Sequence, residues 1–527
     1  MAAPVSPPLV PLLAAAVIAL AMLLPPAYLV VRTLSDASSA WEEIYRDRTF
    51  QYVINTAWLA VAVTAGAIVL AVPLAWLTTV TDLPFKRFWA IVMALPLAIP
   101  SYVVAFTLVS ALGPRGIVQD ALSPLGVERL PDIYGFPGAW LALTFSTFPY
   151  VLLPVRAAIQ GLDSSLHDAA RSLGRGPWRT FFTVTLLQMR PAIAAGALLV
   201  ALYTISDFGV VSILRYDSLT RVIYVQYTSA FDRSAAAALA LLLVFLTLLL
   251  VVTDGFTRGR ARYFARSPRA LPQVVNLRAW RWPALAACVV VAALGLLTPL
   301  SIILYWLLRG VSAGQTTDFA VEAGFNSVYI SGVAAIVAVA AALPIAFLAT
   351  RHSSVMTRGI EKVAYLGFAL PGVSIALALV FFAANYAIAV YQTIALLVFA
   401  YVVRFLPQAL SASRSSMVQV NPAAEEAARS LGKGGLEVFR RITLPQIMPG
   451  VLAGAALVFL TTMKELPATL LLSPTGFNTL ATEIWSATTE AFFTRAALPA
   501  LILIVVSATP MVFTVLRESA LAREAGE

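Results

Sequence analysis

The sequence predicts an all-α polytopic membrane protein, with about twelve transmembrane helices in two parallel, pseudo-symmetric halves of six. Three observations support this class: an apolar composition, regularly spaced apolar runs and an internal repeat. The 527 residues are 60% hydrophobic and 12% charged, with a mean hydropathy of +0.86. Soluble domains are roughly 45–50% apolar and about 25% charged. Lipid must therefore solvate much of this chain.

Twelve apolar segments are long enough to cross a bilayer, which takes about 20 residues of helix. We predict spans at Val10–Val31, Val53–Thr79, Trp89–Leu112, Gly138–Ala158, Pro191–Leu214, Ala235–Phe256, Pro283–Leu308, Ser327–Thr350, Val363–Asn385, Ala387–Ala409, Pro449–Leu472 and Ala496–Leu516. The predicted halves are residues 1–256 and 283–527, joined by a basic linker at 257–282.

The second half repeats the first. The polar segment Asp163–Gly196 recurs 258 residues later as Asn421–Gly454, and each copy contains the letters AARSLG. Further matches are Pro149 and Arg156 with Pro407 and Arg414, Asn55-Thr56 and Pro73 with Asn326-Ser327 and Pro344, and Ala94-Leu95-Pro96 with Ala369-Leu370-Pro371. An even number of spans separates the copies, so the repeats are parallel and related by an axis along the membrane normal.

Charge placement predicts the orientation. The net charge is +10, and Lys and Arg collect in alternate loops, as expected for cytoplasmic loops. This places both polar repeats, the basic linker, and the N- and C-termini in the cytoplasm. The partner of the basic residues is then the lipid bilayer and not a nucleic acid.

Several kinds of chemistry are missing from the sequence. One cysteine, Cys288, and two histidines, His167 and His352, make neither a disulfide framework nor a Cys- or His-rich metal cage. The chain has no phosphate-binding G-x-x-x-x-G-K-[ST] loop and no nucleophile paired with a histidine. We therefore predict no cofactor and no enzymatic activity in this chain, and energy for any transport must come from another subunit. The first apolar run lacks a cationic leader, so we expect a retained span.

The second polar repeat is predicted to fold as two helices around a bend. Asn421 supplies an N-cap and Pro422 the first helical position. Gly432 ends this helix, and a second helix begins near Leu436. The small Ala427-Ala428 face lets another surface approach closely. An ordinary amphipathic loop is the alternative, but two copies with matched spacing favour a docking surface.

This segment resembles the EAA loop of permease subunits of bacterial ABC importers. That resemblance implies a coupling helix that docks on a separate ATP-hydrolysing subunit, two copies of which bind the two loops. The residues carried over are Asp168, Ala169, Ala170, Gly174, Glu425, Glu426, Ala427, Ala428, Gly432 and Pro445. The first copy departs from the pattern with Asp168, Val184 and Leu187 in place of Glu, Ile and Pro. We therefore expect the second copy to make the dominant contact.

Two further segments, Ser206–Gly209 and Met463–Phe477, resemble those of fused ferric-iron permeases of the bacterial inner membrane. The resemblance implies an importer for ferric iron that receives its cargo from a periplasmic binding protein. The same machinery for thiamine, a polyamine or another small solute is the alternative. An ion-driven secondary transporter is a second alternative, but it would leave the docking loops unexplained.

Asp207 and Glu465 are acids within apolar spans and are also 258 residues apart. Each follows the proline that opens its span by ~24 Å of helix, at about 1.5 Å per residue. Intramembrane carboxylates are costly and usually face a cavity or a partner, so both are candidates for the translocation path. Alternatively, both simply end helices near the outer interface, or Glu465 pairs with the adjacent Lys464.

Overall fold

A computed structural model describes residues 8–114, 116–127, 129–161, 170, 172–174, 176–229, 232–257, 274–352 and 354–524. Within these ranges the chain forms helices and turns. The β structure in them is an isolated bridge between Thr81 and Val275. The predicted all-α class is confirmed.

The helices of the first half and the linker region are α1 Leu9–Ser35, α2 Ala37–Ile44, α3 Asp47–Val80, α4 Lys86–Val92, α5 Ser101–Leu112, α6 Ile117–Leu122, α7 Phe136–Thr147, α8 Pro149–Gln160, α9 Pro177–Thr180, α10 Leu186–Ser206, α11 Gly209–Ile213, α12 Leu219–Thr228 and α13 Arg233–Thr257. The helices that follow are α14 Arg281–Ala292, α15 Thr298–Ser312, α16 Asp318–Arg351, α17 Val355–Tyr365, α18 Gly372–Tyr386, α19 Ile394–Gln419, α20 Pro422–Ser430, α21 Gly435–Val438, α22 Leu444–Met463, α23 Pro467–Leu472, α24 Leu480–Thr489 and α25 Phe493–Glu524. Short 3₁₀ turns lie at Leu95–Ala98, Ser123–Leu125, Arg278–Trp280, Leu366–Ala369 and Ile388–Val390, and π turns at Phe181–Thr185, Ala293–Leu297 and Phe439–Thr443.

Each of the twelve predicted spans overlaps a helix. In the described part of the chain, ten helices are long and apolar enough to cross a membrane. The count is eleven if the pair Val355–Ala369 and Gly372–Tyr386, bent by 106°, forms one span. The apolar part of α25, Phe493–Thr509, is shorter.

Several span boundaries differ from the prediction. The predicted Pro191–Leu214 is a helical segment over Phe181–Ser206, and Pro449–Leu472 is one over Gly435–Met463. Both helices end before the intramembrane acid, because the chain breaks there and restarts as a short helix. The predicted Ala387–Ala409 begins later, at Ile394, and continues to Gln419.

The chain divides into two compact units. Unit 1 comprises Met1–Arg46, Ile223–Phe245 and Asp318–Glu483, and unit 2 comprises Asp47–Val222, Leu246–Thr317 and Ile484–Glu527. In unit 1, α16, α19 and α22 pack together and α1 lies against α16, α17 and α18. In unit 2, α3, α8 and α10 pack together and α15 lies against α5 and α25. Each unit therefore takes helices from both predicted halves of the sequence, whose division at 257–282 stays a prediction.

A glycine allows one helix pair in each unit to approach closely. A Cβ atom on Gly196 of α10 would lie 2.6 Å from Val151 Cα of α8. At the repeated position, a Cβ atom on Gly454 of α22 would lie 3.2 Å from Ala409 Cα of α19. Contacts below 3.4 Å are tighter than ordinary packing, so both positions favour glycine.

The predicted repeat is visible in the helices themselves. Helices α3 and α16 each have 34 residues, and both their ends are 271 residues apart. In unit 2 the Thr56 hydroxyl accepts from Leu219 N at 2.9 Å. In unit 1 the Ser327 hydroxyl accepts from Leu480 N at 2.8 Å. The matched hydroxyl groups thus have the same role, since each accepts a hydrogen bond from the first backbone amide of a helix, α12 or α24.

One predicted match is wrong by four residues. Pro100 and Pro371, and not Pro96 and Pro371, occupy equivalent places. Each directly precedes a helix, with nearly the same backbone angles (φ −59°, ψ 143° and φ −61°, ψ 142°). Their separation of 271 residues is also that of α3 and α16. Ser101 is therefore the counterpart of Gly372.

Candidate functional site

The second polar repeat folds as the sequence predicts. Helix α20 begins after Asn421, whose side chain accepts a hydrogen bond from Ala423 N at 3.0 Å. It ends at Ser430, and Gly432 adopts φ +81°, the left-handed conformation that favours glycine. After the short α21, the π turn Phe439–Thr443 connects to α22. We call residues 421–443 the second loop and residues 163–185 the first loop.

Glu425 anchors the second loop to two spans. Its side chain is 3% exposed, and Arg351 at the end of α16 donates to Glu425 Oε1 at 3.0 Å. Thr443, in the π turn before α22, donates to the same oxygen at 2.9 Å. Arg351 also donates to the carbonyl of Val420 at 3.2 Å. We call Arg351, Glu425 and Thr443 the loop clamp, because they connect α16, α20 and the start of α22.

The exposed face of the second loop is formed by other residues. Of the predicted coupling residues, Glu426, Ala427, Gly432 and Pro445 are exposed, whereas Glu425 and Ala428 are buried. Leu431 and Leu436 are 81% and 73% exposed beside them. Exposed leucines next to an accessible acid and an alanine form a surface suited to docking a partner.

The first loop is described only in part. Its predicted residues Asp168 and Ala169 lie outside the described residues. Ala170 is buried, like its counterpart Ala428, and Gly174 has φ +76°. Leu173 is 79% exposed, as Leu431 is. A π turn, Phe181–Thr185, again leads into the following span.

The loop clamp has no charged counterparts in the first half of the sequence. His167 stands at the position of Glu425, and Val80 at that of Arg351, while Thr185 matches Thr443. Both members of the Arg351–Glu425 ion pair are therefore replaced in the first half of the sequence. The replacement of Glu425 alone would have left a buried arginine without its anion.

In unit 2, Asp207 lies at a helix break among hydroxyl groups. It is 8% exposed, directly after α10. Ser101 donates to Asp207 Oδ2 at 2.6 Å, and Tyr203 donates to Ser101 Oγ at 3.0 Å. The other carboxylate oxygen, Oδ1, accepts from Val210 N at 2.9 Å. Thr220 donates to the carbonyl of Asp207 at 2.7 Å.

In unit 1, Glu465 occupies the same kind of break but pairs with an arginine. It is 5% exposed, and Arg404 Nη1 of α19 lies 3.2 Å from Glu465 Oε1. That oxygen also accepts from Ala468 N at 3.3 Å, as Asp207 accepts from Val210. Thr469 donates to the carbonyl of Glu465 at 2.5 Å, and its hydroxyl lies 2.7 Å from that of Tyr401.

Two repeated positions, those of Gly372 and Arg404, carry different residues in the two units. A Cβ atom on Gly372 would lie 1.6 Å from Arg404 Nη1 and 2.6 Å from Glu465 Oε1. Glycine at 372 therefore leaves the volume that the guanidinium fills. The counterpart of Gly372 is Ser101, and Ser146 stands at the repeated position of Arg404.

Sequence reasoning missed both arginine partners. It considered Lys464 for Glu465 and gave Arg351 only an orientational role. The available signal was that Arg404 lies within a predicted span, where an arginine needs a partner. The structure gives Arg404 as an ion-pair partner of Glu465. The assignment of Asp207 and Glu465 to a translocation path remains a prediction.

The chain matches one protein family twice. The model of the family "Binding-protein-dependent transport system inner membrane component" matches residues 67–262 and 338–522. The two matches begin 271 residues apart, the same separation as α3 and α16. Together they cover more than half of the chain.

Individual relatives differ in how much of the chain they match. The Fe(3+)-transport system permease protein FbpB 2 of Haemophilus influenzae is 35% identical over 502 residues, which covers 94% of this chain and 95% of that protein. The molybdenum transport system permease protein ModB of Azotobacter vinelandii is 33% identical over 170 residues, 32% of this chain and 74% of that protein. Among solved structures, a bacterial ABC transporter involved in the import of the acidic polysaccharide alginate matches with a TM-score of 0.38 and 18% identity, over 42% of this chain and 84% of that chain.

Proposed function

The chain belongs to the family of inner membrane components of binding-protein-dependent transport systems, and from this premise we propose that it moves ferric iron into the cytoplasm. The substrate assignment rests on the similarity to a Fe(3+)-transport permease over nearly the full length of both chains. The molybdenum permease resembles only about a third of this chain. The resemblance of Met463–Phe477 to ferric-iron permeases points to the same cargo.

The chain would work as the membrane subunit of an ABC importer. A periplasmic binding protein delivers the cation, and two copies of an ATP-hydrolysing subunit dock on the first and second loops. These subunits supply the energy, and this chain transmits it without enzymatic activity of its own. Both termini and both loops then lie on the cytoplasmic side of the bacterial inner membrane, in agreement with the distribution of Lys and Arg.

The predicted coupling residues would divide between two roles, and their burial supports this division. Glu426, Ala427 and Gly432 are exposed and suited to contact the ATPase. Glu425 is buried in the loop clamp and is suited to hold the loop in place. Asp207 and Glu465 remain the candidates for the translocation path, because charged groups inside spans commonly mark ion pathways.

Reconstitution tests the proposed cargo directly. The full chain is reconstituted in liposomes with its ATPase. The iron-loaded binding protein is supplied on the periplasmic side of the chain and ATP on the side that carries the ATPase. We expect ATP-dependent accumulation of radioactive ferric iron and no accumulation of molybdate, thiamine or spermidine. Transport of one of these solutes in place of iron would overturn the substrate assignment. Iron uptake that needs an ion gradient but no ATP would overturn the importer class.

A substitution at Gly432 tests the docking assignment. Gly432→Asp places a charge on the exposed loop at φ +81°, so we expect loss of ATP-dependent uptake with the chain still inserted. Gly434→Asp is the control, since it adds the same charge at φ −67° with open space around it. We expect Gly174→Asp to be milder, because the first loop departs from the family pattern. Normal uptake by Gly432→Asp would contradict docking through the second loop.

A further inference from the structure

A short backbone connection in unit 2 joins the end of α3 to the segment that precedes α14. Val275 N donates to the carbonyl of Val80 at 2.7 Å, and Asp82 N donates to the carbonyl of Val275 at 3.2 Å. Asp82 Oδ1 accepts from Leu277 N at 2.7 Å, although the two residues are 195 positions apart in the chain. The residues that lead into α4 and those that lead into α14 are therefore held close together.

Four cationic residues follow directly on this connection. Lys86 and Arg87 begin α4, whereas Arg278 begins the 3₁₀ turn before α14 and Arg281 begins α14 itself. The three arginines are exposed and Lys86 is partly buried. Within the described part of the chain, none of the four forms a salt bridge. Asp82 is the one acid in residues 80–92 and 274–292. The surface thus has a clear excess of positive charge.

Exposed aromatic side chains lie among these cations. Trp280 and Trp282 are 74% and 60% exposed, and Phe85 and Phe88 are 80% and 57% exposed. The guanidinium carbon of Arg281 lies 5.2 Å from the centroid of the Trp282 ring. Tryptophan is enriched where the hydrocarbon core of a bilayer meets the headgroups, and cytoplasmic loops carry an excess of Lys and Arg at that boundary. The combination indicates a surface at headgroup level.

An exposed apolar strip continues from this surface along α14. Trp282 and Val289 are seven residues apart and therefore share one face of the helix. Val289, Val290, Leu294 and Leu297 are between 46% and 55% exposed. The helical segment Arg278–Ser312 is long and apolar enough to cross a membrane. A ligand with an anionic head and apolar tails would match both the cations and the strip.

The repeated helix in unit 1 lacks this excess of charge. Thr357 of α17 stands at the position of Lys86 and donates to the carbonyl of His352 at 2.7 Å, as Lys86 donates to the matched carbonyl at 3.4 Å. A threonine thus makes the same local contact without a charge. Helix α17 also contains the acid Glu361, which pairs with Arg414 at 3.1 Å and has no acidic counterpart in α4.

We propose that the surface at the start of α4 and α14 binds the headgroup of an acidic phospholipid, whose tails lie along the apolar strip. We call this surface the basic patch, and its members are Lys86, Arg87, Arg278, Trp280, Arg281 and Trp282. The ammonium and guanidinium groups donate to the phosphodiester oxygens, which accept charge-assisted hydrogen bonds. The bound lipid connects two segments that are far apart in sequence. The inference goes beyond the proposed function and is independent of the cargo.

Lipid retention by the purified full-length chain in detergent tests the basic patch. The chain is incubated with equal amounts of phosphatidylglycerol and phosphatidylethanolamine that have the same acyl chains, and native mass spectrometry counts the bound lipids. We expect wild-type chain to retain phosphatidylglycerol preferentially. Arg87→Gln should weaken its binding about fivefold and Arg278→Gln/Arg281→Gln about thirtyfold, the contribution expected for one and two cations near anionic lipid.

Arg358→Gln is the matched control. Arg358 is exposed and stands on α17 at the repeated position of Arg87, outside the basic patch. Its replacement removes the same charge, so we expect binding of phosphatidylglycerol to be unchanged. Size-exclusion profiles identify variants that fail to fold. If the double variant aggregates, Arg87→Gln decides the question as the milder change.

Four outcomes would overturn the lipid site. Equal retention of the two lipids by wild-type chain would remove the preference for an acidic headgroup. Unchanged binding in Arg278→Gln/Arg281→Gln, or equal loss in Arg358→Gln, would show that the basic patch does not set it. Complete displacement of the lipid by inorganic phosphate would indicate a site for free anions. Loss of ATPase co-purification in the double variant, with lipid retention intact, would make the patch a contact for that subunit instead.

Discussion

At the scale of single residues, the largely buried ion pair between Arg404 and Glu465 has a direct consequence for stability. The two side chains are 20% and 5% exposed. Removal of one member of a buried pair leaves the other charge without compensation, whereas removal of both is often nearly neutral. Gly372 is part of the same arrangement, since any Cβ atom there would collide with the guanidinium. The pair and the glycine must therefore change together.

We expect Arg404→Gln to lower the free energy of unfolding by about 3–5 kcal/mol. The double variant Arg404→Gln/Glu465→Gln should recover most of this loss, because no charge remains uncompensated. Thermal unfolding of the purified chain in detergent measures both effects. Lys433→Gln breaks the exposed pair with Glu437 and serves as the control, with a cost below about 1 kcal/mol. A double variant as unstable as the single one would contradict the assignment.

At the scale of elements, the π turns are the feature common to both loops. Phe181–Thr185 and Phe439–Thr443 occupy repeated positions, directly before α10 and α22. Single π turns often occur at functional sites. In the second loop this turn holds Thr443 against Glu425, which Arg351 connects to α16. We therefore expect a displacement of α20 to reach two spans through these three side chains.

Glu425→Gln should reduce the iron transported per ATP while leaving ATPase binding intact, because the loop clamp loses its ion pair but the docking face is unchanged. Arg351→Gln should have the same effect, and the two changes together should add little. Glu426→Gln, on the exposed neighbour, should instead weaken ATPase association. The measurements are the ratio of uptake to hydrolysis and co-purification of the ATPase. Equal phenotypes for Glu425→Gln and Glu426→Gln would contradict the division of roles.

At the scale of the whole molecule, each compact unit is built from both halves of the sequence. Unit 1 contains α1, although most of that unit follows residue 318. Unit 2 contains α14, α15 and α25, although most of it precedes residue 222. The first helix of each half packs in the unit formed mainly by the other half. Neither half of the sequence contains all the helices of either unit.

We therefore expect residues 1–282 and 283–527, expressed separately, to be aggregated or sensitive to protease after solubilisation. Co-expression should restore a single species, since each fragment then supplies the helices that the other lacks. Size-exclusion chromatography and limited proteolysis measure this. A protease site inserted in the linker of the intact chain is the control, because cleavage after folding leaves all helices in place. A stable, monodisperse fragment 283–527 would contradict the exchange.

The sequence predicted much of this architecture because local signals control it. Apolar length predicted twelve spans, of which ten or eleven are long and apolar enough to cross a membrane in the described part of the chain. Capping and backbone conformation correctly placed the ends of α20 at Asn421, Pro422 and Gly432. The sequence could not predict the partners of buried charges. Arg404 and Glu465 are 61 residues apart in the chain, and only the packing of their helices brings them together. The match of Pro96 to Pro371 was wrong because two prolines four residues apart offer two alignments. Only the helix start at Ser101 decides between them.

The unlike residues at Ser101 and Gly372 have an evolutionary consequence. A permease assembled from two identical chains must carry the same residue at both copies of every position. Fusion of the two copies into one polypeptide removes that requirement, since each copy then accumulates substitutions independently. One copy can specialise in cargo while the other specialises in stability, and every assembled molecule contains one of each. The single chain thus fixes a difference between the two copies that a dimer of identical chains could not inherit.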